Sequence, residues 1–473
     1  MQSEIYYGGS FDPFHTGHEA ILAALLREPA KRLVIAPVGL QALKGLRDSP
    51  FSVHRYRLIL ENLNALFFDR FKKLDSAGLG TQSYQLKVAE LPQTAVIKFS
   101  NGEALPVSEI RVEEILLSDE EILRRHSSYT VESLESRARQ ILASGEGFHF
   151  LVPIGTDIIE ELPSWFEFER LFQLAEFLII PRAGYDRSAS ESLLEDYRRR
   201  YRLRYRILDI EVPELSSTEI RERFRQHRNR VNQDPSLTHN LVWPDDWRGL
   251  SEVSRRYIEA NGLYLNAELG RDFSAEFISE LLSFERKLWL HLSLYRLAHS
   301  VNVMYCALAL ARVYRLDLKS TALAALLHDS AKERSYAGYS EFEHQLDPVY
   351  ADYPKLIHAP FGAYLAKEEY GIEDPEICSA IYYHPCLRPD PSLLEAVVHL
   401  ADKIEVGRPF RDLEEIRRLA PKHLMEAICL CQSLCIKHEE KKGARAFPES
   451  LETYQWFQTH FPVESGARAT DLE

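Results

Sequence analysis

The segment from Gly8 to His18 constrains the fold most, because it joins a strand-like run to a helix through a glycine turn. It reads GGSFDPFHTGH, after the strand-like Glu4–Tyr7 and before the apolar helical run Ala20–Leu26. Backbone N–H groups at a helix N-terminus can bind anions, and glycines let a phosphate approach the main chain closely. His15 and His18 add two donors. A structural turn with exposed histidines is the alternative, but the strand–turn–helix order favours a triphosphate-binding site.

Composition and charge narrow the function classes. The chain has 473 residues, of which 45% are hydrophobic, so it can build the cores of two or three domains. Its net charge of −14 argues against nucleic acid or an acidic membrane as a partner, because either needs a basic surface. No apolar run reaches the ~18 residues that span a bilayer, and the N-terminus enters a strand without a basic and apolar leader. We expect a cytoplasmic protein.

The cysteines indicate neither disulfides nor a metal site. All six lie after residue 300, and their spacing is not that of a disulfide framework. Cys429, Cys431 and Cys435 could hold a metal, but they fall on an apolar helix, where buried thiols are more common. We therefore expect these three side chains to be buried.

The two halves of the chain differ in pattern. Up to about residue 265, helices alternate with short apolar β-rich runs, which are Arg32–Pro37, Val96–Phe99, Phe148–Ile154, Ala175–Pro181 and Tyr205–Ile210. This alternation predicts an α/β domain with a doubly wound, Rossmann-like parallel sheet, with the opening motif at the carboxyl end of a strand. From about residue 270 the pattern becomes helical, as in Ile278–Leu297 and Ser392–Ile404, which predicts an all-α domain.

We predict domain bounds from this change and from the polar stretch that follows Asn261-Gly262. The expected divisions are an α/β domain over 1–265, a helical junction over 266–284, an all-α domain over 285–460 and a tail over 461–473.

Histidines and aspartates recur through the second half beside apolar residues. They are His299, His328, Asp329, His358, His384 and Asp402. Buried imidazoles and carboxylates are costly unless they are paired or metal-bound. Each histidine alone is more simply a satisfied core residue, but the set predicts a shared metal centre. Mixed nitrogen and oxygen ligands favour Fe or Mn, without deciding between them.

The opening motif resembles the HxGH signature of a nucleotidyltransferase superfamily. Five further segments add to this resemblance. They are Ser128–Leu134, Pro153–Asp157, Pro181–Gly184, Leu215–Arg221 and Tyr257–Tyr264, and they resemble motifs of the nicotinate-nucleotide adenylyltransferases within it. Leu215–Arg221 is also a sensible phosphate clamp by itself, with two hydroxyls at a helix start and an arginine one turn later. A plain N-cap is the alternative there. The family's basic segment after its second strand is replaced by Pro37–Lys44, where Lys44 supplies the only basic group.

The resemblance implies adenylyl transfer from ATP, with Mg²⁺, to nicotinate mononucleotide. A phosphate nucleophile is already anionic, so positioning and charge stabilisation replace a general base. The resemblance assigns catalysis to His15, His18 and Arg221. It assigns ATP binding to Gly8, Gly9, Ser10, Phe11, His15, His18, Gly155, Asp157, Ser217, Thr218 and Arg221, and nicotinate-mononucleotide binding to Lys44, Tyr129, Thr130, Trp165 and Arg182.

The second half resembles the HD-domain phosphohydrolases, and within them the bacterial symmetrical diadenosine-tetraphosphate hydrolases. Leu356–Tyr364, Ala380–His384 and Phe447–Trp456 carry the closer resemblance. It implies that the six histidines and aspartates bind two metal ions, that Asp329 is catalytic, and that Lys332 and Arg408 meet phosphate oxygens. Two alternatives stay open: the HD half is a non-catalytic nucleotide-sensing or scaffolding module, or the first domain uses another phosphate acceptor, such as phosphopantetheine.

Overall fold

The computed structural model describes residues 2–39, 51–74, 81–124, 129–142, 148–182, 187–210, 212, 215–233, 244, 246–265, 269–408, 413–441 and 447–462. Contacts divide the chain into two compact units, and the first ends at Glu259. We call them the N-terminal unit and the C-terminal unit. No helix in the described ranges is long and apolar enough to cross a membrane.

Strands and helices alternate in the N-terminal unit. The strands are β1 (Gln2–Gly9), β2 (Ala30–Pro37), β3 (Lys72–Lys73), β4 (Tyr84–Lys87), β5 (Val96–Lys98), β6 (Ala104–Pro106), β7 (Val112–Leu117), β8 (Phe148–Gly155), β9 (Ala175–Ile180) and β10 (Arg204–Ile207). The helices are α1 (Thr16–Leu26), α2 (Ser52–Leu66), α3 (Thr130–Leu142), α4 (Phe168–Leu174), α5 (Arg187–Tyr201), α6 (Ser217–Gln233) and α7 (Glu252–Asn261). Short 3₁₀ turns cover Val88–Glu90, Val107–Glu109, Thr156–Ile158 and Leu162–Ser164.

A single sheet positions the opening motif. Its strand order is β10-β9-β8-β1-β2-β7-β4-β3, and the six strands from β10 to β7 pair in parallel. The neighbours β2 and β8 lie on opposite sides of β1, so the carboxyl end of β1 is a switch point, where α/β sheets bind ligands. The predicted doubly wound parallel sheet is confirmed.

Two details of the strand prediction are wrong. Val96–Phe99 does not join the parallel sheet, because β5 pairs antiparallel with β6 in a separate two-stranded sheet. Ile97 is buried while Val96 is exposed, which is the alternation of a hairpin and not of a strand covered on both faces. The sequence analysis missed β7, whose first half carries two glutamates that interrupt the apolar run.

The C-terminal unit is helical throughout its described residues. Its helices are α8 (Leu269–Asp272), α9 (Ala275–Trp289), α10 (Leu294–Tyr314), α11 (Leu318–Leu327), α12 (Ser340–Gln345), α13 (His358–Glu368), α14 (Pro375–Tyr383), α15 (Leu393–Ile404), α16 (Leu413–Leu419), α17 (Leu424–Lys441) and α18 (Pro448–His460). Short 3₁₀ turns cover Pro348–Asp352 and Pro354–Leu356. The expected all-α organisation is confirmed.

Two helical expectations need correction. The run Ile278–Leu297 is two helices, since α9 ends at Trp289 and the Ser293 side chain caps α10 by accepting a hydrogen bond from the Arg296 amide. On α17, Cys429 and Cys431 are buried as expected, but Cys435 is exposed, because it lies on the solvent side of the helix.

Candidate functional sites

Two histidines at the start of α1 have their protonation pattern set by the backbone. His15 Nδ1 accepts a hydrogen bond from the Gly17 amide at 3.1 Å, and His18 Nδ1 accepts one from the His15 amide at 3.2 Å. A neutral imidazole that accepts at Nδ1 carries its proton on Nε2. Burial, with a smaller contribution from the Arg182 charge, lowers the pKa of His15 to about 3. Both rings therefore offer an Nε2–H donor without a positive charge.

Aromatic side chains of the same turn fix the His18 ring. Phe14 stacks on it with ring centroids 5.4 Å apart, and Phe11 packs edge-on at 5.0 Å. Phe11, predicted as an ATP-binding residue, is itself buried. Arg55 links this turn to the segment that follows β2. Its guanidinium donates to the Ser10 carbonyl at 2.9 Å and to the Gly39 carbonyl at 3.1 Å. The sequence analysis did not select Arg55.

The start of α6 lies against this turn. The Arg221 guanidinium donates to the Asp12 carbonyl at 2.6 Å, and Ser217 Oγ donates to the Pro13 carbonyl at 3.2 Å. Arg221 also donates to Thr218 Oγ1 at 3.2 Å. Ser216 takes the N-cap role, because its hydroxyl accepts from the Glu219 amide. Ser217, Thr218 and Arg221 are thus brought together with the histidine turn, as the sequence analysis predicts.

The ends of β8 and β9 carry the opposing charges Asp157 and Arg182. Their side chains lie 3.7 Å apart, and the Arg182 amide donates to Thr156 Oγ1 at 3.0 Å. Gly155 permits this arrangement, because a Cβ there would lie 2.1 Å from Asp157 Oδ1. The Arg182 Nε–H is buried and has no hydrogen-bond partner among the described residues, so an anion could satisfy it.

The predicted acceptor residues are only partly brought together. Thr130 begins α3, and the exposed ring of Tyr129 lies 4.7 Å from that of Phe166. Trp165 packs instead against the buried core, so it is Phe166, which sequence analysis missed, that presents an exposed ring beside Tyr129. Lys44 lies outside the described residues. Gly8 and Gly9 end β1.

The six predicted metal ligands of the C-terminal unit converge from helix ends and helix interiors. His299 is within α10 and Asp402 within α15, whereas His328 and His384 directly follow α11 and α14, and His358 begins α13. All six are buried.

Two groups of these ligands have the spacing of metal sites. One comprises His299, His328 and Asp402, and the other comprises His328, Asp329 and His384. His299 Nε2 lies 2.9 Å from Asp402 Oδ1. His328 is common to both groups. One carboxylate oxygen of Asp329 lies 3.7 Å from His328 Nε2, and the other lies 3.3 Å from His358 Nε2 and 3.5 Å from His384 Nε2.

Backbone carbonyls set the tautomer of three of the histidines. Nδ1 of His328, His358 and His384 donates to the carbonyl three residues earlier, at 2.7 Å in each case. Each ring therefore points the Nε2 lone pair inward. Burial lowers the pKa of His384 to about 3, so that ring is neutral.

Acceptor atoms face one another here without a proton between them. The Nε2 atoms of His358 and His384 lie 3.2 Å apart. His328 Nε2 and Asp329 Oδ1 are buried and have no hydrogen-bond partner among the described residues. Converging lone pairs are costly to bury unless a cation binds them. This donor set fits divalent ions.

Basic side chains surround the centre. Arg296 donates to Asp329 at 2.9 Å, Arg408 donates to Asp402 at 3.0 Å, and Lys332 Nζ lies 2.9 Å from His358 Nε2. Burial alone would raise the pKa values of Asp329 and Asp402, but the neighbouring histidines and basic groups hold both well below the usual range. Both carboxylates are therefore ionised and available as ligands.

Sequence analysis missed several residues of this centre. Arg296 lies one helical turn before His299, a spacing that could have indicated it. Glu405 contacts His299, and Lys403 contacts Asp402 at 2.8 Å. His399 donates through Nδ1 to the His384 carbonyl at 2.7 Å and so supports a ligand without being one of the six.

Comparison with known proteins finds relatives for each half of the chain. The model of the HD domain matches residues 296–407. The symmetrical bis(5'-nucleosyl)-tetraphosphatase of Bacillus subtilis (strain 168) is 37% identical over 169 residues, which are 34% of this chain and 89% of that protein. The chain belongs to the symmetrical bis(5'-nucleosyl)-tetraphosphatase family. It matches that family through its HD part.

The N-terminal region has relatives of another kind. A probable nicotinate-nucleotide adenylyltransferase of Albidiferax ferrireducens is 26% identical over 222 residues, which are 47% of this chain and 85% of that protein. The Mycoplasma pneumoniae protein described as a probable nicotinate-nucleotide adenylyltransferase/Ap4A hydrolase is 25% identical over 411 residues, covering 86% of this chain and 89% of itself. This member of the tetraphosphatase family is thus an enzyme fused to an adenylyltransferase-like region, as the sequence analysis predicts.

Divalent metal should stabilise the protein through the HD ligands. An ion that binds only the folded state at 100 times its Kd stabilises that state by about 2.7 kcal/mol. We expect Mn²⁺ to raise the unfolding temperature of the metal-stripped protein, measured by calorimetry, and Asp329→Asn to reduce the increase. His18→Ala is the control and should keep the full increase. An increase of equal size in the Asp329→Asn protein would contradict the assignment.

Proposed function

We propose that the protein is a bifunctional enzyme with one activity in each unit. The N-terminal unit transfers an adenylyl group from ATP to nicotinate mononucleotide, which yields deamido-NAD and pyrophosphate. The C-terminal unit hydrolyses dinucleoside polyphosphates such as diadenosine tetraphosphate to ADP. The fused relative, whose match spans 86% of this chain, supports the pairing of these two activities. These nucleotides are intracellular, and we infer a cytoplasmic location from them. The proposed catalytic domains are 1–265 and 285–460.

The observation that carries the transferase activity is the pair of neutral Nε2–H donors of His15 and His18. The phosphate of nicotinate mononucleotide attacks the α-phosphorus of ATP, and pyrophosphate leaves. Donors aimed at the triphosphate stabilise charge that develops on its oxygens, and no side chain has to remove a proton. Arg221 adds positive charge on the ATP side. Mg²⁺ is expected to accompany the ATP.

Arg182 is proposed to bind the phosphate of nicotinate mononucleotide. Its Nε–H makes no hydrogen bond within the described ranges and lies 3.7 Å from Asp157 Oδ1, beside the strand that ends at Gly155. A guanidinium binds phosphate with charge-assisted hydrogen bonds. Tyr129 and Phe166 supply exposed aromatic faces for the pyridine ring, with Thr130 next to them.

The observation that carries the hydrolase activity is the convergence of two buried acceptor atoms, His328 Nε2 and Asp329 Oδ1, that have no hydrogen-bond partner in the described part of the chain. We infer two divalent ions, Fe or Mn. His299, His328 and Asp402 would hold one, and Asp329 and His384 would hold the other together with His358, whose Nε2 lies 3.2 Å from His384 Nε2. When bound, such ions act as Lewis acids and lower the pKa of water. Lys332, Arg408 and Arg296 bind and orient the polyphosphate oxygens. A water oxygen bonds to one of the two inner phosphorus atoms, the central P–O bond breaks, and the leaving diphosphate takes up the released proton, so that two ADP molecules result.

Activity assays with several acceptors test the proposal most broadly. Purified full-length protein is incubated with Mg²⁺–ATP and nicotinate mononucleotide, nicotinamide mononucleotide or phosphopantetheine. The same protein, loaded with Fe²⁺ or Mn²⁺, receives diadenosine tetraphosphate, and the products are separated by chromatography. We expect deamido-NAD in the first assay and ADP in the second. Transfer to phosphopantetheine alone would contradict the acceptor, and a loaded protein without hydrolysis would favour the sensing or scaffolding alternative.

Two substitutions should separate the activities. His18→Ala removes a donor to the transition state, so kcat of adenylyl transfer should fall by about 10²–10³. Asp329→Ala removes the carboxylate ligand of the second group, so hydrolysis should be abolished and the metal content should fall by at least one ion. Each variant is the folding control for the other, because the sites lie in different compact units. Loss of both activities in either variant would contradict the separation.

The pH dependence of transfer tests the neutral histidines. Because the pKa of His15 is about 3 and the Nδ1 atoms of both rings accept backbone hydrogen bonds, no imidazolium is needed above pH 7. We expect kcat/KM for Mg²⁺–ATP to stay constant within about threefold from pH 7 to 9. A required imidazolium with a pKa near 7 would instead cause a loss of about 100-fold over that range.

The acceptor role of Arg182 predicts a selective effect on KM. Arg182→Ala removes a charge-assisted contact, so KM for nicotinate mononucleotide should rise at least tenfold while KM for ATP changes little. Steady-state kinetics with each substrate varied in turn will measure this. Arg198→Ala, at an exposed arginine of α5, should change neither constant. An equal rise in KM for both substrates would contradict the phosphate-binding role and indicate that Arg182 maintains the structure of the site.

A further inference from the structure

The four histidines of the metal centre do not share the same kind of partner. As described above, Nδ1 of His328, His358 and His384 donates to a backbone carbonyl. His299 differs, because its Nδ1 lies 3.1 Å from Glu405 Oε1. Nδ1 of one imidazole therefore contacts a carboxylate, and Nδ1 of the other three contacts an uncharged backbone carbonyl oxygen.

Glu405 is fixed in place for this contact. It directly follows α15, three residues after Asp402, and its side chain is buried. Its other oxygen, Oε2, accepts a hydrogen bond from the Gly407 amide at 2.5 Å. A Cβ at Gly407 would lie 3.0 Å from that oxygen, so glycine lets the amide approach it. Since two groups hold its oxygens, the carboxylate cannot turn away from His299 without losing both bonds.

The two carboxylate ligands, Asp402 and Asp329, do not differ from each other in the way that His299 differs from the other histidines. Asp402 accepts from Lys403 at 2.8 Å and Arg408 at 3.0 Å, and Asp329 accepts from Arg296 at 2.9 Å with Lys332 at 3.7 Å. Each aspartate thus has two basic neighbours that draw on its charge. Each set also has a basic nitrogen close to an imidazole, since Arg408 Nη2 lies 3.2 Å from His299 Nε2 and Lys332 Nζ lies 2.9 Å from His358 Nε2. What differs is the carboxylate at His299 Nδ1, whose Oε1 also lies 3.8 Å from Arg408 Nε.

We propose that Glu405 is a positioning residue that makes the two metal positions unequal. A carboxylate that accepts Nδ1–H holds the ring orientation and makes Nε2 a stronger donor to a metal. The position formed by His299, His328 and Asp402 therefore binds a divalent ion more tightly than the position formed by His358, His384 and Asp329. The inference rests on the two-ion centre of the proposed function, and it adds an order of filling.

The test measures metal binding and not activity. Metal-stripped full-length protein is titrated with Mn²⁺, and free Mn²⁺ is followed by electron paramagnetic resonance. The wild type should bind two ions with unequal affinities. Glu405→Gln keeps one oxygen that can accept from His299 but removes the charge and replaces the acceptor of the Gly407 amide by an N–H donor. The affinity of the tighter site should fall by about 10–100-fold while the weaker site is unchanged.

Glu395→Gln is the matched control. Glu395 is a buried carboxylate of α15, the helix that Glu405 directly follows. It bonds to Ser392 and Arg388 and to none of the six ligands. This variant should bind both ions as the wild type does. Unchanged binding in Glu405→Gln, or an equal loss at both sites with normal binding in Glu395→Gln, would overturn the inference. A wild type that binds no Mn²⁺ would instead overturn the metal centre of the proposed function.

A second measurement uses only the wild type, so its outcome does not depend on whether the Glu405→Gln protein folds. Crystals of metal-stripped protein are exposed to less than one equivalent of Mn²⁺, and anomalous diffraction locates the ion. Density beside His299 and Asp402 is expected. Density that appears first beside His358 and His384 would overturn the inference.

Discussion

The Nδ1 atom of each site histidine has a hydrogen-bond partner that decides what the ring can bind. At the start of α1, backbone amides donate to His15 and His18, so Nε2 of each ring carries a proton and can meet an anion. In the HD centre, backbone carbonyls accept from His328, His358 and His384, so Nε2 presents a lone pair and can meet a cation. Histidine thus faces an anion at one site and a cation at the other. Whether the backbone group at Nδ1 donates or accepts a hydrogen bond determines which.

The fold places these rings where the backbone groups are accessible. His15 caps α1, at the point where amides have no partner inside the helix. His328 and His384 follow the ends of α11 and α14 and bond to carbonyls of the last helical turn. One property is thus common to the carboxyl end of β1 and the helix ends of the C-terminal unit. In each, a terminus with unsatisfied main-chain groups fixes an imidazole, and the net result is a buried ring with a defined tautomer.

Much of this could be predicted from the sequence, and the remainder depends on contacts that the sequence does not reveal. The order of strand, glycine turn and helix indicated the site at β1, and recurring histidines and aspartates in apolar surroundings indicated the HD centre. The Val96–Phe99 run was wrongly placed, because a short apolar run does not show whether both faces are covered. Glu405 and Phe166 were missed, since nothing local distinguishes a glutamate that turns back to His299, or an aromatic that packs beside Tyr129, from a surface residue. Tautomers follow from hydrogen-bond partners and are invisible in the sequence.

Nitrogen-15 NMR of the imidazoles tests the central claim most directly. Metal-stripped protein labelled at histidine is recorded at pH 7.5, and single substitutions to Gln assign the signals. The chemical shifts distinguish a protonated Nε2 from a protonated Nδ1. The account predicts the Nε2–H tautomer for His15 and His18 and the Nδ1–H tautomer for His358 and His384. The reverse tautomers, or an imidazolium at His15 or His384, would contradict it.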